Sequence, residues 1–74
     1  MIMISVDIKH PNVMSAEYIF HDEGDAYMEV ITDLPLDEDG ESSLKFKEMN
    51  VAVEEQRLAL PLHRRGKFIR YKRR

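Results

Sequence analysis

The residues best equipped for chemistry are cations interleaved with aromatics in the segment Leu62-His63-Arg64-Arg65-Gly66-Lys67-Phe68-Ile69-Arg70-Tyr71-Lys72-Arg73-Arg74. Cations neutralise backbone phosphates, and an aromatic ring gives a base a face to stack on, so the combination points to nucleic acid rather than to bond cleavage. If Lys67 to Lys72 is a strand, Ile69 and Tyr71 share one face and Phe68, Arg70 and Lys72 the other, because side chains alternate across a strand. The expected contact set is Arg64, Arg65, Lys67, Phe68, Arg70, Lys72, Arg73 and Arg74. A plainer reading has these cations answering acids on neighbouring strands, in pairs contributing roughly 0.2–1 kcal/mol each.

The charge distribution sharpens both readings. Residues 1–56 hold all fourteen acids against three lysines, net −11, whereas residues 57–74 hold eight cations and no acid, net +8. The formal total of −3 conceals this split. Such asymmetry means that one part of the chain meets an anion or that the two parts meet each other. Two function classes follow. The first is a non-enzymatic module that binds nucleic acid or a nucleoprotein through a basic C-terminal hairpin spanning 57–74. The alternative is a protein-binding inhibitor or adaptor of the small phage type, a DNA mimic whose acidic body at 1–56 occupies a basic groove on its partner.

Other candidate constellations are weaker. His21-Asp22-Glu23-Gly24-Asp25 gathers an imidazole and three carboxylates, but neighbouring side chains on a strand diverge, and a solvated turn is the simpler reading. Asp37-Glu38-Asp39-Gly40-Glu41 fails as a calcium loop, since aligning Gly40 with the loop glycine puts Pro35 and Phe46 at ligand positions. The chain has neither a glycine-rich phosphate loop, nor a Gly-x-Ser-x-Gly elbow, nor a His-Glu-x-x-His motif. His10, His21 and His63 fall at or beside turns, and no orienting partner for a catalytic histidine is evident. No catalytic residue, metal or cofactor is therefore expected. The five methionines read as fillers of irregular gaps in a small core.

With no cysteine, disulfides and thiolate-held zinc, haem or iron–sulfur sites are excluded. The opening Met-Ile-Met-Ile-Ser-Val lacks a basic flank and is too short for a signal peptide or a membrane span, so a cytoplasmic location without membrane contact is expected. An apolar share of 43%, regularly spaced, is too high for a disordered chain. At 74 residues a single domain hides only about 60% of the surface its unfolded chain exposes, leaving a margin of roughly 3–5 kcal/mol. A second copy or a bound partner is a natural supplement.

The elements that must position the basic segment read as all-β. Ile2, Ile4, Val6 and Ile8 alternate with Met3, Ser5, Asp7 and Lys9, giving a strand that Pro11 terminates. Val13 to His21 and Ala26 to Thr32 read as a hairpin around Gly24, and Asp39-Gly40 and Arg64-Arg65-Gly66 read as further hairpin turns. Leu44 and Phe46, Val51 to Val53, and Leu58, Leu60 and Leu62 supply short strands, with Pro61 confining the last to an edge or a bulge. Over 48–60 a helix capped by Asn50 competes with strands, but the faces through Val51 and Val53 carry no apolar stripe, which favours strands. The expected fold is five or six short antiparallel strands in a small barrel or curled meander sheet, of the size and strand count of SH3-like and OB-like barrels but with no motif of either. Ile4, Val6, Phe46 and Leu60 are expected in its core, and an exposed edge is a route to a dimer.

Overall fold

The computed structural model describes residues 1–21 and 24–74. Four strands, β1 (Ile2–Ser5), β2 (Val13–Phe20), β3 (Ala26–Thr32) and β4 (Ile69–Arg73), form one sheet in the order β1-β2-β3-β4. β1 and β2 pair antiparallel, as do β2 and β3, but β4 lies parallel to β3. A parallel neighbour requires a long crossover. Here it contains the short helix α1 (Glu38–Glu41), the helix α2 (Leu44–Leu58) and a 3₁₀ turn at Leu62–Arg64.

The hairpin between β2 and β3 follows the sequence reading, with Gly24 at φ +85° in the turn. The first and last strands also form in their expected segments, as β1 and β4, but the architecture departs from the expected all-β barrel. The chain is β-rich, but it is a four-stranded mixed sheet with a helix on one face. Most of the run after Ser43 is helical, as α2 over Leu44–Leu58, because Ser43 caps it, its side chain accepting from the Phe46 amide at 3.2 Å. From that start the inward positions are Phe46, Met49 and Val53, all buried, at the three- and four-residue spacing of a helix face. Exposed Leu44, Val51 and Leu58 on the outer side dilute the periodicity and hide this stripe. The Asp39-Gly40 turn is α1, capped by Asp37. Gly40 is needed there because a Cβ would sit 2.2 Å from the Pro35 carbonyl oxygen. Leu58, Leu60 and Leu62 form no strand, and Arg64-Arg65-Gly66 turns no hairpin, so 57–74 is a helix end, a 3₁₀ turn and one parallel strand.

The core lies between α2 and one sheet face. Met28, Val30, Met49 and Val53 are fully buried, with Ala16, Tyr18 and Phe46 around them. Thr32 is buried too, and its hydroxyl is satisfied, donating to the Asn12 carbonyl at 2.6 Å and accepting from the Leu34 amide at 3.1 Å. The first strand is shorter than its alternation implies. Ile8 reaches the core and Val6 packs on its margin, but Ile4 is 52% exposed and Leu60 only half-buried. The inward slots of β1 lie at the sheet's edge, where α2 does not cover them.

Two side chains of α2 seat β4. Asn50 Oδ1 accepts from the Tyr71 hydroxyl at 2.5 Å, and Arg57 Nη1 donates to the Gly66 carbonyl at 2.9 Å. Phe46 meets the Tyr71 ring edge-on with centroids 4.9 Å apart. The helix register makes a direct prediction. Met49→Ala, which empties a fully buried site, is expected to cost about 2–5 kcal/mol in urea unfolding, whereas Leu44→Ala on the exposed side is expected to change stability by no more than about 0.5 kcal/mol.

Candidate nucleic-acid interface

Among the described residues no helix covers the sheet face opposite α2. Register assigns its side chains in rows across the strands. The first row is Met3, Ile19, Tyr27 and then Phe68, the second Ser5, Glu17, Glu29 and Arg70, and the third Ser15, Ile31 and Lys72. Phe68 stands one residue before β4, where its carbonyl accepts from the Met28 amide at 3.1 Å. Its ring lies parallel to Tyr27, at 5.0 Å between centroids and 5° between planes. His21 stacks on the other side of Tyr27 at 5.7 Å. The result is a continuous three-ring stack whose outer member, Phe68, is 54% exposed.

Gly66 lets the chain come this close to β3. A Cβ at Gly66 would lie 3.0 Å from the Tyr27 Cα, and the next amide, that of Lys67, donates to the Ala26 carbonyl at 2.8 Å. From Phe68 onward alternation sends Ile69 and Tyr71 to the core and Arg70 and Lys72 to the open face. The Arg74 amide extends the ladder by donating to the Thr32 carbonyl at 2.9 Å, so Arg74 follows Arg70 and Lys72 onto that face. Its guanidinium rests 3.3 Å from the Met14 sulfur.

The structure brings only part of the expected contact set together. Phe68, Arg70, Lys72 and Arg74 share the open face, and Lys67 borders it, its ammonium 2.7 Å from the Asp25 carboxylate. Arg73 has the opposite parity, beside Thr32. Arg64 lines a groove on the helix side of the sheet with Ile2, Ile4 and Leu60. Arg65 is committed to structure, donating to the Leu58 and Leu60 carbonyls at 3.1 and 3.0 Å and so closing the C-terminal end of α2. Arg57 is likewise engaged, gripping Glu54 with Nη2 at 2.9 Å.

Sequence reasoning missed Tyr27 and His21 as members of the stack, and Asn50 and Arg57 as the side chains that seat β4. Tyr27 was legible as a strand residue, but its partnership with Phe68 depends on a parallel pairing that no local pattern announces. The open face is also less purely basic than alternation on β4 alone implies. Glu17 and Glu29 oppose each other across β2 and β3, a repulsive arrangement offset by Lys72, 3.9 Å from Glu29.

Among the described residues no group of three or more His, Cys, Asp or Glu side chains is placed to hold a metal ion. Asp22 and Glu23 of the His21–Asp25 cluster lie outside the described residues. No described helix is long and apolar enough to cross a membrane. Burial raises the Tyr18 and Tyr71 hydroxyls above the ordinary tyrosine range; Tyr71 donates to Asn50, whereas the buried Tyr18 hydroxyl has no hydrogen-bond partner among the described residues. Comparison with protein families, curated proteins and solved structures finds no match to this chain.

The hydrogen bond from Lys67, and then its positive charge, hold the Asp25 carboxyl below the usual aspartate range. A carboxyl lowered by folding stabilises the native state above its unfolded pKa, and that contribution is lost as pH falls through the folded value. A side-chain NMR titration is expected to show Asp25 ionising below an ordinary aspartate, and Lys67→Gln is expected to return it to the ordinary range. An unchanged Asp25 midpoint in that variant would show that the pair does not form.

Proposed function

We propose that this chain is a non-enzymatic binding module that holds a single strand of nucleic acid, free or within a nucleoprotein, across the open face of its sheet, acting in the cytoplasm. The observation that carries this reading is the exposed Tyr27–Phe68 stack, set at the head of a strand whose open-face positions are Arg70, Lys72 and Arg74. A base stacked on the outer face of Phe68 extends an existing ring stack, an arrangement indifferent to base identity because every base has a π-face. The strand beyond it then carries phosphates along the cations. An open sheet with aromatics on one face and a helix behind the other is a workable design for single-strand binding.

Width argues against a duplex. Four strands at about 4.8 Å spacing span roughly 14 Å, more than the about 12 Å of the major groove, which admits a helix or a two-stranded ribbon. Glu17 and Glu29 in the middle row set an upper limit on affinity, since phosphates must stay on the β4 side of them. The alternative reading, an inhibitor that fits a basic groove, draws on the opposite layer, where Asp37, Glu38, Asp39, Glu41, Glu48 and Glu55 are exposed on and beside α1 and α2.

Fluorescence anisotropy with a short labelled oligothymidine tests the proposal. With three phosphates neutralised, log K is expected to fall against log salt with a slope near −2, about 0.7 per contact for a single strand, and Arg70→Ala or Lys72→Ala should each remove about one such step. Phe68→Ala is expected to weaken binding by roughly 1–3 kcal/mol while the exposed position spares the fold. Absence of binding at low salt, or full affinity in the Phe68→Ala variant, would reject the proposal and move the acidic-groove reading to first place.

A further inference from the structure

The two edges of the sheet differ in kind. β4 presents Arg70, Lys72 and Arg73, charges of the sort that discourage a further strand from adding. β1 presents Ile2, Met3, Ile4 and Ser5, none of them charged, and Ile2, Met3 and Ile4 are 62%, 53% and 52% exposed. In a chain with 34% charged residues, an unguarded apolar edge is conspicuous. Just inside it lies a groove of about 340 Å³ lined by Ile2, Ile4, Tyr18, Phe20, Leu60 and Arg64. We propose that a second copy of this chain covers both, the two β1 strands pairing antiparallel about a two-fold axis near Met3 and Ile4 to make one eight-stranded sheet.

The backbone is set for this. The Val6 amide donates to the Ala16 carbonyl at 2.9 Å, continuing the register in which Ile4 faces Tyr18 and Ile2 faces Phe20. In an antiparallel ladder inward bonding alternates, so Ile2, Ile4 and Val6 direct their amides and carbonyls to β2. Met3 and Ser5 direct theirs outward, to the free edge. A two-fold axis normal to the sheet pairs only residues of like parity. Ile2 and Ile4 therefore meet their counterparts on the helix side, over the groove, and Met3 and Ser5 meet theirs on the open side. The paired segment is short, and the apolar side chains rather than the new ladder bonds supply the driving force.

No charged side chain lies on the pairing segment, and the symmetric contact is apolar against apolar.

Sedimentation velocity of the full chain tests the proposal. The wild type is expected to sediment at twice the monomer mass, with monomer appearing on dilution. Met3→Pro removes an outward amide while leaving the β1–β2 bonds intact, and is expected to sediment as a monomer with an unchanged far-ultraviolet circular dichroism spectrum. Ile2→Lys keeps every backbone bond, places a charge at the edge, and is expected to give the same result should the proline disturb folding. A wild type that is monomeric across the micromolar to millimolar range overturns the proposal, including the case where β1 instead takes up a strand of another protein. Persistence of the dimer in folded Ile2→Lys overturns it as well.

Discussion

The seating of β4 parallel to β3 is the constraint on which the rest of the molecule depends, and α2 enforces it at two points. Arg57 holds the Gly66 carbonyl where the chain turns back toward the sheet, and Asn50 holds the Tyr71 hydroxyl halfway along the strand. Gly66 is buried and Tyr71 half-buried, so a lost partner leaves a polar group poorly solvated. With the strand so fixed, Ile69 and Tyr71 must complete the core, and Phe68 must lie beside Tyr27. The cations of alternate parity are then left on the open face. An antiparallel hairpin over 57–74 would have separated Phe68 from Tyr27 and placed the same cations beside other strands.

The fold distributes charge by layer. Exposed acids gather on α1 and the outer side of α2, where Lys45 and Lys47 are also exposed, while Arg70, Lys72 and Arg73 run along β4 and Arg64 lines the groove on the helix side. Among the described residues, Arg57 and Arg65 are spent within the helix end, and Lys67 and Lys72 meet Asp25 beside the sheet and Glu29 within it. Exposed pairs of this kind contribute little to stability. The core therefore carries the fold, and it is small: four apolar side chains are fully buried, two of them methionines whose unbranched chains fill the irregular space between a short helix and a twisted sheet.

The β2–β3 hairpin and the alternation of β4 were legible because each is local. Strand residues flank a glycine with positive φ in the first, and a strict period of two marks the second. The helix was hidden for a physical reason. Its inward stripe is only Phe46, Met49 and Val53, its other sheet-facing positions are the polar Asn50 and Arg57 that seat β4, and its outer side carries Leu44, Val51 and Leu58. Tested from Val51 or Val53 the stripe is invisible, and from Ser43 it can be read only if that serine is recognised as a cap. Ile4 was misjudged by the same kind of reasoning in reverse, since alternation identifies a face but does not say whether anything covers it. Of the candidate site, the faces of Phe68, Arg70 and Lys72 follow from sequence, whereas the partnership with Tyr27 and the diversion of Arg65 into capping α2 are long-range facts with no local signature.

We propose that α2, by holding β4 parallel to β3, leaves the open face as the surface that meets nucleic acid. Amide chemical-shift mapping of the ¹⁵N-labelled chain, titrated with a short oligothymidine, tests it most directly. Shifts are expected at Tyr27, Phe68, Arg70 and Lys72 and their neighbours across the open face, with Lys45, Glu48 and Glu55 on α2 unmoved. Shifts centred on α2, or on Arg64 and Arg65 on the helix side of the sheet, would contradict it.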